Sequence, residues 1–383
     1  MTDPRPRNVL VIGGGASGNA VTILLRQAGI TVDLIEAQPG WNVLGSGITL
    51  QGNALRVLRE LGVWDEVRKT GYPFDSIGLA APDGTMLFVH EDARTGGEDL
   101  PATVGMQREQ LQKILCEAVR ASGASVRLGT TASELIQDED GVTVRFSDGT
   151  EGRYDLVIAA DGLNSATRAV IGISDQPEPT GMAIWRVATH RPEGVEHSAL
   201  IYGGPCYIAG YCPTSQHTMY AYLVEANRDR AAIDPASYAE EMRRLAAGYG
   251  GVWREIAASI TDPAKVNYTW FHRLLVEGPW HRGRVVLIGD AAHACPPTLA
   301  QGAAMSLEDA SVLAEMLAEM LSDQQDWSSL DALLTGFHER RIDRVRTVVE
   351  ASVQLGQWQL DGAGNAGMPG LIGRTMSVIM ETP

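Results

Sequence analysis

The sequence lacks several features that would assign a protein to a specialised class. Four cysteines stand among 383 residues, and they form neither a CxxC pair nor a zinc-binding spacing, so we expect free, buried thiols. No stretch approaches the roughly 18 apolar residues needed to span a bilayer, and the first residues carry no apolar signal core. These absences predict a cytoplasmic protein with no membrane partner.

Positive charge is also scarce. The chain has 31 Lys and Arg residues against 47 Asp and Glu residues, and its formal net charge is −16. Such a chain is repelled on average by a phosphate backbone. The densest basic stretch, residues 340–344, is short and includes Asp343, which is typical of an exposed helix face. We therefore expect no nucleic-acid partner.

What the sequence does have is the composition of a large globular protein. Hydrophobic residues make up 44% of the chain and charged residues 20%, so it can bury a sizeable core. A chain of 383 residues predicts one large domain or two unequal ones that share an interface.

The N-terminal segment has the pattern of a βαβ unit. Residues 8–12 form a nearly continuous apolar run, which is typical of a strand buried on both faces of a parallel sheet. Residues 20–27 predict a helix and residues 31–36 a second strand. Further on, residues 125–158 predict a meander of short strands that covers one face of the sheet.

The rest of the chain predicts an α/β fold with an insertion. Alternating side chains in residues 181–271 predict a second domain built on an antiparallel sheet with helices. The apolar run at 283–288 and the helical stripe at 303–321 return the chain to the first domain. We therefore predict a Rossmann-like domain with a mixed or parallel sheet and helices at 1–180 and 272–360. The glycine-rich tail at 361–383 is expected to be loosely ordered or to make a contact.

A glycine-rich motif follows the first predicted strand and opens the first helix. It fits GxGxxG, in which the first Gly permits a tight turn, the second lets a pyrophosphate approach the backbone, and the third allows close helix–strand packing. Glu36, followed by Ala37, ends the second strand about 20 residues on, where a carboxylate can accept hydrogen bonds from a ribose. The pair predicts dinucleotide binding and disfavours NADP in this pocket, while FAD and NAD both remain open.

Further motifs bear on the choice between FAD and NAD. One motif is Gly289-Asp290-Ala291-Ala292-His293, which is followed by Pro297, Gln301-Gly302 and Asp309. A second is Asp161-Gly162, which is followed by Ser165 and Arg168. In addition, Arg108 begins a predicted helix, and Gly45-Ser46-Gly47 precedes Asn53. In these residues the sequence resembles the single-Rossmann (group A) FAD-dependent aromatic hydroxylases, which include para-hydroxybenzoate and salicylate hydroxylases. The resemblance runs from Val9 to about Arg346. Ala159 departs from it, because the family commonly has Gly before Ala-Asp-Gly.

The resemblance implies a cofactor and a chemistry. FAD is expected to bind non-covalently, with NADH or NADPH as co-substrate and no second GxGxxG domain for it. The resemblance further implies that the reduced flavin adds O2 as a C4a-hydroperoxide, which passes one oxygen to an electron-rich ring. Asp290 would accept a hydrogen bond from the ribityl chain. The predicted FAD-binding residues are Gly13, Gly15, Ala16, Ser17, Gly18, Glu36, Ala37, Arg108, Asp161, Asp290, Pro297, Gly302, Ala303 and Ala304.

Hydroxylation also needs a dry pocket and a group that draws a proton from the ring. The candidates are tyrosines and histidines of the second domain, although for any single one of them a packing role is the favoured interpretation. Tyr207 and Tyr211 are predicted to share one strand face and Tyr220 and Tyr222 another, with His217 and His272 nearby. A further candidate, Arg186 beside Trp185, fits either a cation near flavin or substrate or a packed surface side chain.

The sequence therefore predicts an FAD-dependent monooxygenase that hydroxylates a small aromatic or heteroaromatic substrate and is a monomer or homodimer. Three alternatives remain: a flavin-linked reductase of unsaturated, isoprenoid-like substrates, a flavin-dependent halogenase, and a non-catalytic redox-sensing flavoprotein. The halogenase is disfavoured because Trp270-Phe271-His272 breaks the WxWxIP pattern of those enzymes.

Overall fold

The computed structural model describes residues 8–41, 45–322, 329–363 and 366–383. None of the helices within these ranges is long and apolar enough to cross a membrane. The strands are β1 (Asn8–Ile12), β2 (Thr31–Glu36), β3 (Ile48–Gln51), β4 (Tyr72–Phe74), β5 (Ser76–Ala80), β6 (Met86–Glu91), β7 (Thr103–Met106), β8 (Ser125–Leu128), β9 (Ala132–Asp138), β10 (Gly141–Phe146), β11 (Glu151–Tyr154), β12 (Leu156–Ala159), β13 (Glu178–His190), β14 (Ser198–Ile201), β15 (Ile208–Pro213), β16 (Thr218–Ala226), β17 (Val266–Leu275), β18 (His281–Arg282), β19 (Val285–Leu287) and β20 (His293–Ala294). The helices are α1 (Ala16–Gln27), α2 (Gly52–Glu60), α3 (Trp64–Thr70), α4 (Arg108–Ala121), α5 (Ala166–Val170), α6 (Tyr238–Ala246), α7 (Val252–Ser259), α8 (Gly302–Ser322), α9 (Leu330–Leu360) and α10 (Met368–Met380).

A six-stranded sheet in the order β18-β19-β12-β1-β2-β8 forms the centre of the first domain. Its strands run parallel except for the edge strand β18. Val9 and Val11 pack against the helices on one face, whereas Leu10 and Val157 pack beneath β9, β10 and β11 on the other. The predicted βαβ unit is confirmed. The predicted meander is correct only for β9, β10 and β11, because β8 and β12 are strands of the six-stranded sheet itself.

A second sheet of eight strands has the order β20-β17-β13-β16-β15-β14-β5-β6. Neighbouring strands are antiparallel except for β14 and β5, which are parallel. One face is covered by α6 and α7, where Trp185 and Trp253 are almost fully buried. The sheet takes β5 and β6 from the segment 1–180, so residues 181–271 alone do not supply it.

Helices α8 and α9 are joined by a buried ionic network. Glu308 and Asp309 on α8 are fully buried, as is Arg341 on α9, which donates hydrogen bonds to both carboxylates at 2.9 and 2.8 Å. Arg344 adds hydrogen bonds to Glu308 at 2.7 and 2.8 Å. Burial would raise the pKa of both carboxyl groups, but the positive charge around them holds each pKa below its usual value.

Residues 368–380 of the C-terminal tail form a helix and are not loosely ordered, which corrects one of the two expectations for the tail. Helix α10 packs on α9, with Ile379 fully buried and Arg344 donating a hydrogen bond to the Ile379 carbonyl at 2.8 Å. The glycines of the tail lower its helix propensity, but Met368, Thr375 and Ile379 are buried and recur at a spacing that puts them on one side of the helix. Tertiary packing therefore outweighs local propensity.

We expect Arg341→Ala to lower the free energy of unfolding by about 3–5 kcal/mol, because it leaves two buried carboxylates without their shared cation. Arg340→Ala is the matched control. Its guanidinium pairs with Glu315 at the surface, so its loss should cost no more than about 1 kcal/mol. Urea unfolding of the FAD-stripped proteins measures both, and equal losses would contradict a structural role for the network.

Candidate active site

The glycine turn between β1 and α1 leaves room for a phosphate group. The Gly13 amide donates a hydrogen bond to the Ile35 carbonyl at 2.8 Å, and its φ of 104° lies in the region that favours glycine. A Cβ at Gly13 would collide with the Ala160 carbonyl, and one at Gly18 with the Gly13 carbonyl. At Gly15 a Cβ would meet no atom within 4 Å. The open space at the start of α1, whose amides are free, therefore fits a pyrophosphate.

Glu36 is held beside this turn at the end of β2. One carboxylate oxygen accepts a hydrogen bond from the Gly14 amide at 2.8 Å, and the other accepts one from the Gln38 amide at 2.8 Å. Each oxygen keeps a further lone pair. Ala37 follows in exposed backbone. The half-buried carboxylate is thus oriented to accept hydrogen bonds from a ribose next to the phosphate space.

Asp161 lies close to Gly13 but has a local role. Its two oxygens accept hydrogen bonds from the Ser165 hydroxyl at 2.6 Å and the Thr167 amide at 3.0 Å, which caps the start of α5. The buried Arg168 of α5 then donates to the Ala291 carbonyl at 2.9 Å. The segment around Asp161 therefore positions the turn that carries Asp290.

Asp290 lies in the 3-10 turn Gly289–Ala291, directly after β19. Asp309 fixes this turn, because one of its oxygens accepts from the Gly289 amide at 2.8 Å and lies 2.6 Å from His293 Nε2. The Asp290 side chain is reachable by solvent, yet it is set deep among protein atoms. This burial raises the pKa of Asp290, and the charges of His293 and Arg108 oppose the increase. The open side chain fits a ribityl hydroxyl.

The loop before α8 completes the edge formed by the segments that carry the FAD motifs. The 3-10 turn Pro297–Leu299 ends at Ala300, whose φ of 54° is the sole positive value at a non-glycine residue in the described part of the chain. The Gln301 side chain accepts a hydrogen bond from Asn53 at 3.0 Å, which ties the loop to α2. Helix α8 then begins at Gly302, so the amides of Gly302, Ala303 and Ala304 lack partners within the helix and suit a developing negative charge.

The face of the eight-stranded sheet that lacks α6 and α7 meets this edge through Tyr220. The Tyr220 hydroxyl lies 2.7 Å from the Thr49 hydroxyl on β3, and a Cβ at Gly47 would collide with the Tyr220 ring. The ring of Tyr222 lies next, with its centroid 5.7 Å from that of Tyr220. A Cβ at Gly210 would collide with Tyr222, so this glycine makes room for the ring. Burial raises the pKa of both tyrosines above the usual value, and each stays protonated at neutral pH.

Tyr207 and Tyr211 do not share a strand face, which corrects the sequence prediction. Tyr207 precedes β15 in a bend and packs at the margin of the cluster that contains Tyr222. Tyr211 is buried on the opposite face, in the core that includes Trp185. The prediction failed because strict alternation begins only at Ile208.

The two histidine candidates also lie away from this face. His217 is exposed in the turn between β15 and β16. His272 stacks on Trp270, with centroids 6.5 Å apart, and Trp270 packs on the side of α6 and α7. Of the six predicted catalytic residues, the structure brings only Tyr220 and Tyr222 to the edge that carries the FAD motifs, with Tyr207 at its margin.

Sequence reasoning missed Thr49 and left the position of Arg186 open. Thr49 is 171 residues from its partner Tyr220, and no local pattern marks such a contact. Arg186 on β13 is paired in register with Tyr222 on β16, and it donates a hydrogen bond to the Thr269 hydroxyl at 2.9 Å. Among the described residues, no group of three or more His, Cys, Asp or Glu side chains could hold a metal ion.

The comparison with known proteins decides the family. Residues 7–352 match the sequence model of the FAD binding domain family. The chain belongs to this family, the group A flavoprotein monooxygenases. The predicted family and its FAD cofactor are thereby confirmed.

Relatives of this family member match along most of its length. A 2-heptyl-3-hydroxy-4(1H)-quinolone synthase of Pseudomonas aeruginosa (strain UCBPP-PA14) is 33% identical over 355 residues, which cover 92% of this chain and 90% of that protein. The 3-amino-4-hydroxybenzoate 2-monooxygenase PtnB3 of Streptomyces platensis is 32% identical over 364 residues, covering 92% and 88%. The crystal structure of Klebsiella pneumoniae HpxO complexed with FAD and uric acid has a TM-score of 0.83 at 24% identity, covers 98% of this chain and 97% of that chain, and shows the shared fold.

We expect Gly15→Ala to weaken FAD binding by about tenfold or more while leaving the fold intact. The added methyl meets no protein atom within 4 Å but takes up the space that a phosphate needs at the helix start, and a loss of 1.4 kcal/mol is already tenfold. Gly278→Ala is the control, since its methyl also meets no atom and it lies between β17 and β18, outside the glycine turn. FAD titration of the stripped proteins measures the effect. Equal FAD affinity in both variants would show that the turn is not part of the FAD site.

Proposed function

We propose that the chain is an FAD-dependent monooxygenase that uses NAD(P)H and O2 to hydroxylate a small aromatic or heteroaromatic ring. One observation carries the proposal. The hydrogen bond between Thr49 and Tyr220 joins the edge that bears the FAD motifs to a sheet face lined by Tyr220 and Tyr222. The named relatives include a quinolone synthase and an aminohydroxybenzoate monooxygenase, which supports a ring compound as the substrate.

Different residues are proposed to bind different parts of FAD. In this proposal the turn Gly13 to Gly18 with Ala16 and Ser17 binds the pyrophosphate, and Glu36 with Ala37 the adenosine ribose. Asp290 accepts a hydrogen bond from the ribityl chain, and Arg108, Asp161, Pro297 and the residues Gly302 to Ala304 shape the flavin side. FAD supplies the redox chemistry with NAD(P)H and O2 when it is bound.

The sheet face supplies a dry wall for the ring. Ile184, Val224 and Phe271 are buried in one cluster beside Tyr222, and apolar surroundings keep water from the reacting atoms. The Tyr222 hydroxyl has no hydrogen-bond partner among the described residues. Because burial keeps its pKa raised, Tyr222 acts as a hydrogen-bond donor that positions a substrate oxygen, and not as a base.

The proposal extends to the compartment, the oligomeric state and the domain bounds. We expect a cytoplasmic enzyme that is a monomer or homodimer. The chain is proposed to consist of the FAD-binding parts 1–180 and 272–360, the substrate part 181–271 and the tail 361–383, with β5 and β6 completing the substrate sheet.

The test of function is NADH or NADPH oxidation by the yellow holoprotein over a panel of aromatic and heteroaromatic ligands. We expect one ligand class to stimulate both cofactor oxidation and O2 uptake and to yield a product one oxygen atom heavier. A reductase of unsaturated substrates would consume the cofactor without O2, a halogenase would need halide, and a redox sensor would show no turnover with any ligand.

We expect Tyr222→Phe to lower coupled turnover by about 10- to 100-fold with FAD content unchanged, because it removes one hydrogen bond to a charged or developing oxyanion. Tyr211→Phe is the matched control, since the same hydroxyl is removed on the opposite face. Turnover is read as the rate of product formation per FAD-loaded protein, and coupling as product formed per NAD(P)H consumed. If Tyr211→Phe falls as far as Tyr222→Phe, the substrate does not bind on the Tyr222 face.

A further inference from the structure

A row of uncharged residues crosses the eight-stranded sheet from the proposed substrate site to the edge of the sheet. Residues that are directly paired on neighbouring strands point to the same face. The cross-strand row consists, in order, of Tyr222, Gly210, Leu200, Leu79 and Phe88, each paired in register with the next. It therefore lies on the face that lacks α6 and α7, and it connects Tyr222 to the edge strand β6.

The outer three residues of the cross-strand row are partly open to solvent. Leu200 and Leu79 are half-buried, and Phe88 is 56% exposed. The residues on either side of Leu200 point to the opposite face, where Ala199 and Ile201 are at most 2% exposed. The openness is thus a property of this face of the sheet, and a ligand can approach the row.

The hydroxyl group of Tyr222 lies along the cross-strand row. A Cβ at Gly210 would lie 2.4 Å from the Tyr222 hydroxyl oxygen, so the ring of Tyr222 extends from β16 across β15. The next strand is β14, which carries Leu200. A substrate ring whose oxygen is held by the Tyr222 hydroxyl therefore has Leu200 as its next neighbour along the row.

The cross-strand row is longer than a single ring needs. Neighbouring strands lie about 4.8 Å apart, so the three spacings from β15 to β6 cover about 14 Å. Leu200, Leu79 and Phe88 carry neither a charge nor a hydrogen-bonding group on their side chains. Each methylene group that a ligand places on such a surface leaves water, which favours binding.

A second copy of the chain fits the cross-strand row poorly. Three side chains offer far less than the roughly 800 Å² per partner that a stable protein interface buries. Two chains that each have a formal net charge of −16 also repel one another. A single hydrocarbon chain, in contrast, has the width of one row of side chains and carries no charge.

We propose that the ring substrate bears an unbranched apolar chain, which extends from the ring beside Tyr222 over Leu200 and Leu79 toward Phe88. The inference rests on the proposed function in taking this face as the substrate site. It names the substrate class as a ring compound with an apolar side chain. Leu200 and Leu79 are the residues that select for the length and polarity of that chain.

The test measures the binding of 4-methylphenol, 4-propylphenol, 4-pentylphenol and 4-heptylphenol to the FAD-loaded protein by equilibrium dialysis, which requires no turnover. The variants are Leu200→Asn and Leu79→Asn, which make the row polar, and Leu79→Met, which keeps it apolar. Ile136→Asn is the control, because Ile136 is a 41% exposed aliphatic residue on β9, outside the eight-stranded sheet.

We expect the affinity of the parent to rise about two- to fourfold for each added methylene group, because full burial of a methylene is worth about fourfold and a half-open row buries part of it. The rise should level off once the chain passes Phe88. Leu200→Asn and Leu79→Asn should bind 4-methylphenol like the parent but lose most of the rise. Leu79→Met and Ile136→Asn should keep it.

The inference is overturned if the affinity of the parent is flat across the series, or if both Asn variants keep the full rise. A flat series together with a dimer that Phe88→Ser dissociates would assign the cross-strand row to a second copy of the chain instead. Failure of the proposed function looks different. In that case the affinity rises with chain length and depends on Leu200 and Leu79, but no ring compound with such a chain stimulates NAD(P)H oxidation or O2 uptake.

Discussion

The ion network between Glu308, Asp309 and Arg341 is the interaction on which the geometry of the site depends. Asp309 holds the Gly289 amide and lies against His293, which places the turn of Asp290 at the end of β19. Glu308 accepts a hydrogen bond from Asn53 at 3.0 Å, and Asn53 also donates to Gln301. Two adjacent carboxylates on α8 thereby fix both the turn and the loop that border the proposed flavin site. A buried network of this kind contributes less to net stability than to a single defined arrangement, because each of its groups has a partner only in that arrangement.

The parts of the molecule that could be predicted from the sequence are those in which neighbouring residues decide the outcome. The apolar run at residues 8–12, the glycine turn and Glu36 lie within about 30 residues, and together they specify the βαβ unit and its open helix start. The long helix α8 was likewise predicted from its own apolar stripe. Local pattern is sufficient in these cases because hydrogen bonding and packing act along one short segment.

The parts that could not be predicted depend on contacts between distant segments. Alternation in residues 207–222 identifies two strands, but it does not reveal that β15 begins one residue after Tyr207, which puts Tyr207 and Tyr211 on different faces. Nor does the Trp185-Arg186 pair show which of the two side chains enters the core. Trp185 packs beneath α6 and Arg186 takes the other face, a choice made by which helices cover the sheet.

The addition of β5 and β6 to the second sheet has a consequence for how the chain folds. β5 pairs in parallel with β14, and the hairpin of β5 and β6 ends about 100 residues before β14 begins. During synthesis the hairpin therefore leaves the ribosome long before its neighbour exists, with Leu87 and Phe88 more than half exposed even in the finished fold. Non-local pairing of this kind is slow and exposes apolar strand edges in the meantime. We therefore expect completion of the sheet to be a late step in folding, with the apolar hairpin unpaired on one edge until β14 has been synthesised.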